Sequence, residues 1–106
     1  MAREKILVVD QDLDSLSRMY LALIHRKFKT EACNQPEEIV ARIKRFKPAV
    51  IIISSKDYNT ISARLRIPAI VLQNKEEAAV ELNYGDLILT KPVQIDELMK
   101  AVEKVI

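Results

Sequence analysis

The chain has 106 residues, 17 of them basic and 15 acidic, a formal net charge of +2 and an apolar fraction of 49%. That length fits one hydrophobic core, and so small a net charge argues against a dedicated nucleic-acid binder. A single cysteine (Cys33) rules out an internal disulfide and a Cys-rich zinc site, a single histidine (His25) leaves any imidazole centre to rest on it alone, and a single glycine (Gly85) removes the dinucleotide loop, the phosphate loop and the Gly-x-Ser-x-Gly elbow.

The first element is a strand over 5–9, Lys-Ile-Leu-Val-Val. A helix follows over 13–27, with Asp12 or Asp14 able to cap it and Leu13, Leu16, Tyr20, Leu23 and Ile24 on one face. Residues 29–33 make a weaker strand, expected at a sheet edge. Pro36 starts a second helix over 36–46, whose buried stripe is Ile39, Ile43 and Phe46. A strand over 49–53 precedes a segment, 54–67, with only a weak helical pattern. Strands over 68–72 and 86–90 flank a short helix expected near 75–83. The last helix, 95–105, carries Ile95, Leu98, Val102 and Val105 on one face. Strands that are apolar at nearly every residue suit burial on both faces. Alternated with helices, they predict a parallel sheet covered on both sides.

No apolar run approaches the roughly 20 residues of a spanning helix, and the N-terminus lacks a signal-peptide core. A cytoplasmic, reducing setting is expected, with residues 1–106 as a single domain.

In such a sheet, ligands bind outside the carboxyl ends of the strands. Asp10, Gln11 and Asp12 follow the first strand, Ser54 and Ser55 the third, Gln73 and Asn74 the fourth, and Thr90, Lys91 and Pro92 the fifth. Asp10, Ser54, Gln73 and Lys91 are therefore expected to converge on one polar pocket.

Four segments in this order resemble response-regulator receiver domains, the phosphoacceptor modules of two-component signalling: Ile6-Leu7-Val8-Val9-Asp10-Gln11-Asp12, Lys47-Pro48-Ala49-Val50-Ile51-Ile52-Ile53-Ser54, Ile67-Pro68-Ala69-Ile70-Val71-Leu72, and Leu89-Thr90-Lys91-Pro92. The resemblance covers essentially the whole chain. It implies an α/β three-layer sandwich, doubly wound around a parallel five-stranded sheet of order 2-1-3-4-5. The compressed interval between Ser54 and Gln73 leaves the third helix shortened or lost.

The resemblance also implies site roles, and most of them are altered here. Asp10 matches the first of the paired acids that hold Mg²⁺, and Gln11 replaces the second. Ser54 stands where the phosphoacceptor Asp belongs. Gln73 replaces the Thr or Ser of the fourth strand, and Ile88 replaces the aromatic switch residue. Only Asp10 and Lys91, followed by Pro92, match. The Lys91–Pro92 bond is a cis-peptide candidate on the same grounds. A serine hydroxyl without a base is a weak nucleophile, and Mg²⁺ prefers several hard oxygen ligands, usually including carboxylates.

The pattern thus reads as a pseudo-receiver without catalytic residues, metal or cofactor. It would be a phosphorylation-independent module acting on a protein partner (an output domain, a kinase or another regulator) or as a homodimer. The family's helix 4–strand 5–helix 5 face is the expected surface, and neither membrane nor nucleic acid is expected to bind this domain. Three alternatives stand beside it: a cryptic acceptor using a displaced Asp57 or Asp12, a small-ligand sensor at the pocket of Asp10, Gln11, Ser54, Gln73 and Lys91, and a nucleic-acid binder through basic helix ends.

Overall fold

Five strands form one parallel sheet in the computed structural model, which describes residues 3–77 and 80–106. They are β1 (Lys5–Val9), β2 (Lys29–Cys33), β3 (Val50–Ser54), β4 (Ala69–Gln73) and β5 (Leu87–Thr90), and their order is β2-β1-β3-β4-β5. The helices are α1 (Leu13–His25), α2 (Ile39–Phe46), α3 (Ser55–Ile61) and α4 (Ile95–Val105). Single 3-10 turns at Pro36–Glu38 and Ser62–Arg64 precede α2 and follow α3.

Alternation along the strands divides the core in two. Ile6, Val8, Val50, Ile52, Ile70 and Leu72 face α1 and α4, where Leu16, Met19, Leu23, Leu98 and Val102 meet them. Leu7, Val9, Ile51, Ile53 and Val71 face the other way, toward Ile39 and Phe46 of α2 and Tyr58 and Ile61 of α3. Every residue of β3 from Val50 to Ile53 is fully buried, as a central strand covered on both faces requires.

Four expectations need correction. The stripe of α1 is Leu16, Met19 and Leu23, and Leu13 and Ile24 stay exposed because they flank the line that touches the sheet. No helix occupies the described part of 75–83: Lys75–Glu77 forms a turn and residues 80–83 are irregular, while 78 and 79 lie outside the described residues. Val80 and Leu82 both pack on the core. That two-residue spacing suits an extended chain better than a helix.

The third correction follows from the second. β5 is not buried on both faces: Leu87 and Leu89 pack against the α1–α4 core, whereas Ile88 keeps 39% of its exposure. The side that a helix between β4 and β5 would cover is left open by the irregular chain. The face expected from helix 4, strand 5 and helix 5 therefore consists, among the described residues, of β5 and α4 alone. The fourth correction concerns Gln73 and is taken up with the site below.

Candidate functional site

Parallel register aligns the strand ends. Val9 pairs with Cys33 and Ile53, Ser54 with Leu72, and Gln73 with Thr90. Asp10 is thereby carried to the same edge of the sheet as Ser54 and Lys91. These three border a cavity of about 220 Å³ that Gln11, Ser55, Lys56, Leu72, Asn74 and Glu77 complete.

Asp10 is 3% exposed. A carboxylate so placed needs partners for both oxygens, and it has them. Oδ1 accepts the Asp12 backbone N–H at 3.0 Å, and Oδ2 accepts from Lys91 Nζ at 2.9 Å. Lys91 is held in turn by its own N–H, which donates to the Gln73 carbonyl at 2.8 Å. The Lys91–Pro92 peptide is cis.

Ser54 donates its hydroxyl to Asp57 Oδ2 at 3.1 Å. Because α3 starts at the very next residue, its first turn brings Asp57 back over the strand end. The other carboxylate oxygen accepts from Gln11 Nε2 at 3.3 Å, and Asp57 is 4% exposed. An acid in a helix's first turn is favoured by the backbone dipole. The Asp57 carboxylate orients the Ser54 hydroxyl by accepting its hydrogen bond.

Gln73 departs from the expected convergence. Its Nε2 donates to the Glu77 carbonyl at 3.1 Å, so the amide follows the turn after β4, and Leu72 and Asn74 border the cavity in its stead. Ile88 lies on β5 opposite Val71, away from the cavity.

Glu77 enters a site where sequence reasoning did not place it. Glu77 accepts from Ser55 Oγ and from the Asn74 backbone N–H, both at 2.7 Å. The Ser55 hydroxyl first, then that N–H, with Lys91 adding a smaller pull, lower the Glu77 pKa below its ordinary value. Ser55 itself is 1% exposed. The available signals were the three-residue spacings Ser54–Asp57 and Asn74–Glu77, each of which lets a carboxylate fold back on the start of its own turn. Neither His25, exposed on α1, nor Cys33, buried with its thiol on the Gln35 carbonyl, approaches the cavity.

No family model matches the chain, and no curated protein matches it. Solved structures do. A response regulator from Desulfuromonas acetoxidans superposes with a TM-score of 0.82 at 24% identity, covering 97% of this chain and 96% of that one. The receiver domain of Francisella response regulator 1452 gives 0.79 at 20% identity over 97% and 96%. A response-regulator signal receiver domain from Bermanella marisrubri gives 0.78 at 16% identity over 95% and 96%. The chain has the receiver-domain fold.

The receiver fold is associated with Mg²⁺ at the end of β1, so the donors here can be tested against it. Asp10 supplies the one carboxylate of the expected set, and its two oxygens already hold an ammonium and a backbone N–H. Gln11 and Ser54 are neutral, the Asp57 carboxylate is taken up by both of them, and the Glu77 carboxylate is held by Ser55 and the Asn74 N–H. Among the described residues, no group of three or more acidic, His or Cys side chains is placed to hold a metal ion. Mg²⁺ is usually held through one or two carboxylates, with water completing its octahedron, and since the carboxylates here are already engaged, this pocket does not fit it. No helix among the described residues is long and apolar enough to cross a membrane.

Proposed function

We propose that this receiver fold serves as a phosphorylation-independent signalling module that carries no enzymatic activity and works by contact with another protein or with a second copy of itself. One observation carries the reading: the Lys91 ammonium sits on Asp10 at 2.9 Å. The cation that a phosphoryl group would need is thus neutralised by the carboxylate that a metal would need. The hydroxyl at the acceptor position is committed to Asp57 as well. The open edge of β5 and α4, bordered by Leu87, Ile88, Leu89 and Ala101, is the surface on which that contact is proposed.

A displaced acceptor is the second reading, favoured by the position of Asp57 beside Ser54. Against it, Asp57 is 4% exposed and both of its oxygens are already engaged, one by Gln11 and one by Ser54. A small-ligand sensor is less well supported. The cavity of about 220 Å³ is smaller than the roughly 300–1,000 Å³ of pockets that enclose a small molecule.

Amide NMR during addition of Mg²⁺, then of beryllofluoride, tests the proposal. Unmoved resonances at Asp10, Ser54 and Lys91 at millimolar Mg²⁺ are expected. Saturable shifts there, reaching Ile88 and α4, overturn it. Their loss in the Asp57→Asn variant would identify the displaced acceptor.

A further inference from the structure

The sheet face that carries α2 and α3 holds a second cleft, chemically unlike the first. α3 has seven residues and gives way at Ser62 to a single 3-10 turn. So short an element leaves the flank of α2 uncovered. A cavity of about 280 Å³ remains between them, walled by Val40, Ile43, Ile61, Leu65 and Ile67. Ile67 lies two residues before β4, which puts this cleft at the opposite end of the sheet from Asp10.

Its rim is basic. Lys44, Arg64 and Arg66 border the cleft, all three are exposed, and no acidic side chain borders it. Among the described residues none of the three forms an ion pair with a carboxylate. Arg66 is oriented all the same, because its Nη1 donates to the Ala63 and Leu65 carbonyls at 3.1 and 3.3 Å. A guanidinium fixed in this way keeps its other N–H donors for an incoming carboxylate. The aliphatic stems of the three cations extend the apolar wall.

We propose that this cleft docks an acidic amphipathic helix of a partner protein, seating an apolar side chain among Ile43, Ile61 and Leu65 and setting carboxylates against Lys44, Arg64 and Arg66. Charge complementarity selects the occupant. Three like charges around an apolar floor repel one another, and a partner of opposite sign relieves that while the floor takes its anchor. Size argues in the same direction. The cavity falls just short of the roughly 300 Å³ at which pockets begin to enclose a whole small ligand, but one anchoring side chain needs far less. The site shares no residue with the strand-end pocket and does not depend on whether that pocket accepts a phosphoryl group.

The test is selection of a displayed library of helix-forming peptides, with a fixed leucine stripe and randomised polar positions, on the intact chain. Selected binders are expected to be enriched in Asp and Glu. Their saturable amide shifts should centre on Ile43, Lys44, Leu65 and Arg66, with affinity falling as salt rises. Lys44→Glu with Arg64→Glu, at two exposed positions, is expected to weaken them by about tenfold or more. Neutral or basic binders, shifts centred elsewhere, or a library that yields no binder overturns the proposal. Decanoate, which joins an anion to an alkyl tail, is the competing source. If it displaces the selected peptide and binds more tightly, the cleft is a small-amphiphile pocket and the proposal fails.

Discussion

Lys91 and Asp10 form a pair whose members need each other unequally. Asp10 is almost wholly buried, whereas the Lys91 side chain keeps 22% of its exposure. Removing the cation strands a buried carboxylate, and removing the carboxylate frees a lysine that can turn toward water. Lys91→Met is therefore expected to cost about 2–3 kcal/mol, below the roughly 3–5 of a fully buried pair. Asp10→Asn should cost less, and the double variant should regain most of the loss. Urea midpoints of the four proteins check this; equal losses in both single variants would show that the two charges are equally desolvated. The pair was legible in the sequence because both residues follow β-branched runs, and a parallel sheet collects strand ends on one edge. Asp57 and Glu77 were less so. They lie on segments without a strong hydrophobic period, and their placement depends on where a helix starts and how a turn closes.

At the scale of elements, the connection from β4 to β5 does without a described helix, and side chains fasten it. The Tyr58 hydroxyl of α3 donates to Asp86 Oδ2 at 2.7 Å and accepts the Asn83 backbone N–H at 2.8 Å. Asp86 Oδ1 accepts the Ala69 N–H at 2.9 Å, which ties the same knot to the start of β4. Tyr58 is fully buried, and burial raises its pKa; the Asn83 N–H opposes this, and the Asp86 carboxylate adds to the rise. The sign follows. The folded chain holds the phenol proton more tightly than the unfolded chain does. This contribution is complete below the ordinary tyrosine range and is lost as pH rises from there through the raised value of the folded chain. Tyr58→Phe is expected to cost about 1–3 kcal/mol, since it leaves Asp86 and Asn83 short of a partner. It should also remove part of the alkaline fall in stability, read as urea midpoint against pH. An unchanged alkaline limb would assign that fall to other groups.

This connection also explains which elements could be read in advance. β1, β2 and α4 have the expected bounds, and β3, β4 and β5 begin one residue later than expected, because their patterns report packing on the sheet directly. The short helix near 75–83 could not be judged this way. Val80 and Leu82 meet the core at the two-residue spacing of an extended chain, and the knot at Tyr58 is invisible to any periodicity. The half-open state of β5 follows from the same cause, since its apolar run looks like that of a strand covered on both sides.

Across the whole molecule the sheet separates two apolar layers that share every central strand. Leu23, fully buried, belongs to the α1–α4 layer, and Ile53, also fully buried, to the α2–α3 layer. Leu23→Ala is expected to cost about 2–5 kcal/mol and Ile53→Val about 0.5–1.5 kcal/mol. Because β1, β3 and β4 belong to both layers, each variant should still unfold in one transition, with far-ultraviolet dichroism and Tyr fluorescence coincident. Separate transitions would mean that one layer survives the other.

The ion pair at the strand ends also has a bearing on synthesis. Its partners are 81 positions apart in the chain. At about 5–20 residues per second, the ribosome supplies the cation some 4–16 s after the carboxylate. β2 and β3 are made well before then, so β1 can acquire both of its sheet neighbours while Asp10 still lacks its counter-charge. The nascent sheet must leave that end wet until Lys91 arrives, and α4, which follows Lys91 in the chain, is then left to close the face above it.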